Sequence, residues 1–164
     1  MITQQRLKEL LSYDPDTGLF TWLVYRGRCA RKGQIAGSID DGYVKIIIDR
    51  NTYRAHRLAF LYVKGVIPTQ EVDHINRIRS DNRWSNLREA SKSQNMRNKG
   101  VHKNNLSGVK GVNYRKESGK YRVLIKVKGK IISFGQYDDV ELAELVASEV
   151  RAKYDGEFSS RYPD

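Results

Sequence analysis

Glu71-Val72-Asp73-His74-Ile75-Asn76 sets a carboxylate beside an imidazole at the end of a short apolar stretch. Asp81, Asn82, Asn86 and Asn95 follow closely. Asp carboxylates and Asn side-chain carbonyls are the oxygen donors that hard cations such as Mg²⁺ prefer. A neutral imidazole beside such a cation can take a proton from water, because its ordinary pKa lies near ~6.5. A cation that polarises a phosphodiester and a base that prepares the nucleophile are the minimum parts for phosphodiester hydrolysis. Short motifs match by chance often, and asparagines also serve as plain turn and cap residues. The chemistry is therefore one reading and a structural loop is the other.

Outward from this stretch the chain is strongly basic. It has 164 residues, 30 Lys+Arg against 19 Asp+Glu, and a formal net charge of +11. That balance favours a polyanion partner. No apolar run approaches the ~18–20 residues of a membrane span. The N-terminal MITQQRLKELL lacks the pattern of a signal peptide, so a cytoplasmic protein is expected. The single Cys29 rules out an internal disulfide framework and leaves no Cys-rich zinc site; it reads as a small, partly buried side chain. The charge is uneven: residues 97–131 carry 11 basic side chains and one acidic, whereas 132–164 carry 3 and 8. Hydrophobic periodicity continues through the basic band, which places it in a folded domain.

Patterning predicts a helix over 3–12 with Thr3 as N-cap, a turn at Asp14-Pro15-Asp16-Thr17-Gly18, and a strand over 19–24. Strands over 43–48 and 52–56 flank a turn at Asp49-Arg50-Asn51. A helix over 56–64 stops at Gly65. His56 lies on its apolar stretch and reads as a packed histidine. Residues 97–107 are poor in apolar groups and read as a basic linker. Three strands over 109–115, 121–127 and 130–136 precede a helix over 139–154, with Asp138 as N-cap, Glu141 completing a capping box, and Gly156 marking the end. Along 121–127, Tyr121, Val123, Ile125 and Val127 share one face, and Arg122, Leu124, Lys126 and Lys128 the other.

The ordered set Asp73-His74-Ile75-Asn76, Asp81-Asn82, Asn86-Leu87-Arg88 and Asn95, with Ala55-His56-Arg57-Leu58 and Leu10–Gly18 upstream, resembles the HNH endonucleases, in particular the phage and intron-encoded homing branch. The resemblance implies a ββα-metal core over 71–96 holding one Mg²⁺ or Mn²⁺. Asp73 and Asn95 would be its protein ligands, His74 the general base, and Asn86 the residue that pins the loop and aims His74. Asn95 stands where many members carry His, which suits a hard cation. Asp81 and Asn82 would shape the loop and Trp84 would pack.

Lys110-Gly111-Val112, Gly119-Lys120-Tyr121, Phe134-Gly135-Gln136-Tyr137 and the helix after Asp138 resemble the plant ethylene-response-factor (APETALA-type) DNA-binding domain. Carried over by position, Asn113, Arg115, Arg122, Lys126 and Lys128 would face DNA. The aromatic readers of the plant domains are missing here, with Leu124 and Ser133 at outward positions.

The expectation is an α+β chain: an N-terminal region and HNH nuclease domain over 1–96, a linker over 97–107, and a three-stranded antiparallel sheet packed on one helix over 108–164. Its function would be metal-dependent DNA nicking as a monomer, with double-stranded DNA as partner and no membrane or obligatory protein partner. The alternative is a non-catalytic, sequence-specific DNA-binding or regulatory protein built on a nuclease fold.

Overall fold

The structure is a computed structural model, described here for residues 2–102 and 104–155. The chain forms two compact units, Met1–Asn95 and Met96–Asp164. Gly156 and Lys103 lie outside the described residues.

In the first unit, α1 (Gln4–Leu10) runs into β1 (Leu11–Tyr13), which pairs antiparallel with β2 (Phe20–Trp22). Thr3 caps α1 by accepting a hydrogen bond from the Arg6 amide. The helix ends earlier than patterning suggests because Leu11 is already extended and its register opposite Trp22 buries both side chains. Asp14 shapes the turn between β1 and β2. Its carboxylate accepts from the Asp16 amide at 2.9 Å and the Thr17 hydroxyl at 2.8 Å. Those bonds hold the Asp14 carboxyl below its ordinary pKa.

A second sheet has the order β3 (Ser38–Asp40), β4 (Tyr43–Ile48), β5 (Asn51–Arg54). Its β4–β5 turn is tighter than predicted: Ile48 pairs with Asn51, and Asp49 and Arg50 take positive φ. The predicted second strand stops at Arg54, and α2 (Ala55–Lys64) begins at once, so His56 is helical. Leu58, Phe60 and Leu61 project from α2 into a core completed by Leu7, Leu11, Phe20, Trp22, Ile46, Val72 and Leu87. Gly65, at φ 78°, terminates α2 in the left-handed conformation.

Next come β6 (Glu71–His74), β7 (Leu87–Ala90) and α3 (Lys92–Asn98). The predicted linker thus begins inside a helix: Arg97 and Asn98 belong to α3 and Asn98 is buried. In the second unit, β8 (Val112–Arg115), β9 (Lys120–Val127) and β10 (Lys130–Tyr137) form an antiparallel sheet of order β10-β9-β8. α4 (Val140–Asp155) packs on it. Val112, Val123, Ile125 and Val127 meet Ala143 and Ala147, whose small side chains admit a close helix. The N-cap is Asp139, not Asp138: its carboxylate accepts from the Glu141 amide at 2.7 Å and its carbonyl from the Ala143 amide. Asp138 instead pairs with Lys120.

Among the described residues, no helix is long and apolar enough to cross a membrane. Cys29 is exposed rather than partly buried, in the turn-rich stretch ahead of β3.

Candidate active site

The site residues of the first unit hang on the β6–β7 pair. Its register sets Asp73 opposite Arg88, His74 opposite Leu87 and Glu71 opposite Ala90. Strand alternation sends Val72 and His74 to one side and Glu71 and Asp73 to the other. On the first side Val72 joins the core and His74 is 5% exposed. On the second, the Asp73 carboxylate accepts from Arg88 Nε at 2.8 Å, with Nη2 also at 2.8 Å. This is a buried, charge-assisted pair whose two members are cross-strand neighbours.

His74 is held by the chain that follows it. Its Nε2 lies 3.4 Å from the Asn82 side-chain oxygen. An amide oxygen only accepts, so this contact is a hydrogen bond for the tautomer that carries its proton on Nε2. Burial is the main force pushing the His74 pKa down, and the Arg79 charge adds to it; Asn82, Asp73 and Asp81 oppose it. The ring is therefore kept neutral around pH 7.

The loop between the strands is organised by asparagines. Asn86 Oδ1 accepts from the Asn76 amide at 2.9 Å, and its Nδ2 donates to the Asp81 carbonyl at 2.8 Å. Asn76 in turn donates to the Asp81 carboxylate at 2.7 Å. Arg83 grips the same carboxylate and is the largest cause of an Asp81 pKa lowered to about 2. Asn82 is 2% exposed, and its Nδ2 donates to the Ser80 carbonyl. Trp84 packs on Phe60 at 4.8 Å between ring centroids.

The N-terminal turn completes this loop. Tyr13 donates its hydroxyl proton to the Asn82 carbonyl at 2.7 Å, and the Trp84 amide donates to the Pro15 carbonyl at 2.9 Å. Burial pushes the Tyr13 phenol well up, so it remains a donor. Gly18 is obligatory for this docking. A Cβ there would sit 2.4 Å from the Asn82 and Arg83 backbone, and its φ is +74°.

Asn95 reaches the site through α3, whose start is fixed by a capping box. The Ser91 hydroxyl accepts from the Gln94 amide, and Gln94 Oε1 accepts from the Ser91 amide. Asn95 is thereby rotated toward β6, where its Nδ2 donates to Glu71. Glu71 and Asp73 share a strand side, so the Asn95 amide and two carboxylates face one side of β6. Ser91-x-x-Gln94 is a readable signal in the sequence that pattern reading passed over.

Among the described residues, no group of three or more His, Cys, Asp and Glu is arranged to hold a metal ion. An Asp–Asn oxygen pair nevertheless fits a hard divalent cation that keeps most of its sphere for water and phosphate oxygens. Arg88 competes for the Asp73 carboxylate.

Two further rings flank His74 that its motif does not contain, and one of them carries two arginines. His56 stands edge-on to the His74 ring at 5.0 Å, with its buried Nδ1 lacking a hydrogen-bond partner among the described residues. Burial, chiefly, lowers its pKa to about 3, with His74 contributing. Tyr43 lies 6.0 Å from the His74 ring, with Arg54 and Arg79 over its own ring. Nothing in the primary pattern joins β4 to a histidine on β6, and only the fold brings Tyr43 there.

In the second unit, Asn113 pairs with Arg122, and Arg115 with Lys120, so these side chains share one sheet face with Leu124 and Lys126. This face is opposite the one on α4. Arg122 Nε donates to the Ser133 hydroxyl at 3.3 Å. Lys128, at φ 47°, occupies the turn into β10.

Residues 53–97 match the family model described as HNH endonuclease. The match takes in α2, β6, β7 and most of α3. It points to DNA-cleaving nuclease activity and implies DNA as the substrate; HNH nucleases generally depend on a divalent metal. No curated protein and no solved structure matches the chain.

Proposed function

We propose that the chain is a divalent-metal-dependent DNA endonuclease of the homing type, with His74 as general base. The observation that carries this reading is His74 itself: buried, neutral, and tethered at Nε2 by Asn82 within the segment matched to HNH endonucleases. Nδ1 takes a proton from water as the water oxygen attacks phosphorus and the bond to the 3′ oxygen breaks. The departing oxygen is protonated from solvent, leaving a 5′-phosphate and a 3′-hydroxyl. Asn86 acts at a distance, because its bonds to Asn76 and Asp81 fix the loop that carries Asn82. Asp73 and Asn95 would hold Mg²⁺ or Mn²⁺, which when bound supplies charge stabilisation to the phosphate and its leaving oxygen. One catalytic histidine per chain fits nicking by a monomer.

The second unit, read as an APETALA-like sheet module, would hold the duplex. Asn113, Arg115, Arg122, Lys126 and Lys128 are its contact residues. A rival reading, a DNA-binding protein without catalysis, draws support from the Asp73–Arg88 pair, which occupies a ligand the metal needs.

The test is nicking of supercoiled plasmid carrying DNA from the gene's own neighbourhood, in Mg²⁺, Mn²⁺ or EDTA. Wild type is compared with His74→Ala and Asn95→Ala. Metal-dependent nicking lost in both variants is expected. Tight binding without cleavage in either metal would favour the rival.

A further inference from the structure

The hairpin between β3 and β4 holds two arginines on Tyr43, a ring neighbour of His74, that the hydrolytic parts do not use. Arg54 Cζ lies 4.6 Å from the Tyr43 ring centroid and Arg79 Cζ lies 5.0 Å from it. The same ring is 5.4 Å from His56 and 6.0 Å from His74. Each guanidinium is anchored by the hairpin turn. Arg54 donates to the Asp40 carbonyl and Arg79 to the Asp41 carbonyl, each at 3.1 Å. Gly42 lies alongside the Arg79 stem, 3.5 Å from Cδ to the position a Cβ would take. Backbone carbonyls and an aromatic platform fix the two planar groups while leaving N–H edges to other acceptors.

Their carboxylate partners are weak ones. Arg54 is 3.9 Å from Asp40, and Arg79 is 3.3 Å from Asp41, whose side chain is 76% exposed. Exposed pairs of this kind contribute about 0–1 kcal/mol. Lys45 is a closer partner for Asp40, at 2.6 Å. A phosphate takes a bidentate guanidinium contact more strongly than such carboxylates do. Both arginines remain partly open, with side-chain exposures of 36% and 50%.

We infer that Arg54 and Arg79, mounted on Tyr43, form a clamp for the non-bridging oxygens of the phosphate that His74 serves. The inference rests on the nuclease reading for the phosphate's identity. The clamp neutralises charge that builds on the phosphate as water attacks, from groups already oriented before reaction.

The experiment uses the full chain, a short mixed-sequence duplex in EDTA for binding, and the same plasmid nicking under single turnover at saturating protein. Arg54→Ala and Arg79→Ala are each expected to lower the salt slope of duplex binding by about 1. Each should also slow nicking by about 100-fold at saturation. Arg79→Lys restores the slope through its charge but recovers the rate only in part, since an ammonium lacks the planar fork. Slopes unchanged in both alanine variants would overturn the clamp, whether or not the protein cuts. A lowered slope with an unchanged rate would place these arginines on a different phosphate and overturn the assignment to the reacting one. A wild type that binds but never nicks removes the nuclease reading, and with it that assignment; the slopes then decide only whether the pair holds a phosphate.

Discussion

The two units spend their positive charge differently. In the first, several arginines are matched to acids nearby, Arg26 with Asp49, Arg83 with Asp81 and Arg88 with Asp73, and Arg54 and Arg79 are the weakly paired exceptions. The matched pairs tie turns and strands together, those of Arg83 and Arg88 around the neutral His74 and the asparagine loop. In the second unit, Arg115, Arg122 and Lys126 on the sheet face, with Lys128 in the adjoining turn, pair with no carboxylate among the described residues. The acids of that unit gather on α4, on the far side of the sheet. Charge paired with nearby acids braces a site, whereas charge displayed without acids suits a polyanion, and one chain does both.

The sharpest way to break this division is His74→Ala. Removing a general base costs about 10²–10⁴-fold in nicking rate, while duplex affinity should stay at the wild-type value. A parallel loss of affinity in a titration would show that the two tasks are not divided. Next in size is Arg88→Ala, which takes a mostly buried guanidinium away from the buried Asp73 carboxylate. Thermal melting should show a loss of about 3–5 kcal/mol, against about ±0.5 kcal/mol for Lys126→Ala on the open face.

Acid should act first on the first unit. The unfolded chain protonates His56 near its ordinary 6.5, but the folded chain resists until about pH 3. Stability from the neutral ring is therefore complete above about pH 6.5 and lost as pH falls toward 3. Asp81 extends the loss between 3.8 and about 2, because its lowered pKa also means the unfolded state binds the proton first. Melting temperature followed against pH should fall below pH 6.5, and His56→Gln should flatten the upper part of that fall. The smallest effects belong to the sheet: Arg122→Ala and Lys126→Ala should each reduce the salt slope of duplex binding by about 1, with nicking at saturating protein unchanged.

Much of the architecture was legible because it is local. Alternation in Tyr121–Val127 identified the buried and open faces of β9, and Gly65 marked the end of α2. Boundaries failed where tertiary contacts decide them. Leu11 extends because Trp22 lies opposite, and Asp139 rather than Asp138 caps α4 because the helix starts at Val140, one residue after Asp139. The Asp73-His74 pair stood out in sequence, but the partners that define its state did not. Asn82 binds His74 across eight positions of loop, and His56 and Tyr43 reach it from other elements. Periodicity reports burial, so His56 on an apolar helix reads first as a packed histidine and only secondarily as a site residue.

The docking of the Asp14–Gly18 turn sets the size of what can be moved as a piece. Cutting out residues 53–97 would strip the Asn82 carbonyl of the Tyr13 hydroxyl and the Trp84 amide of the Pro15 carbonyl. It would also remove Tyr43, against which Arg54 and Arg79 rest. A graft of this site onto another scaffold has to bring the chain from its N-terminal turn onward, so the transplantable module is twice as long as the signature by which it is recognised.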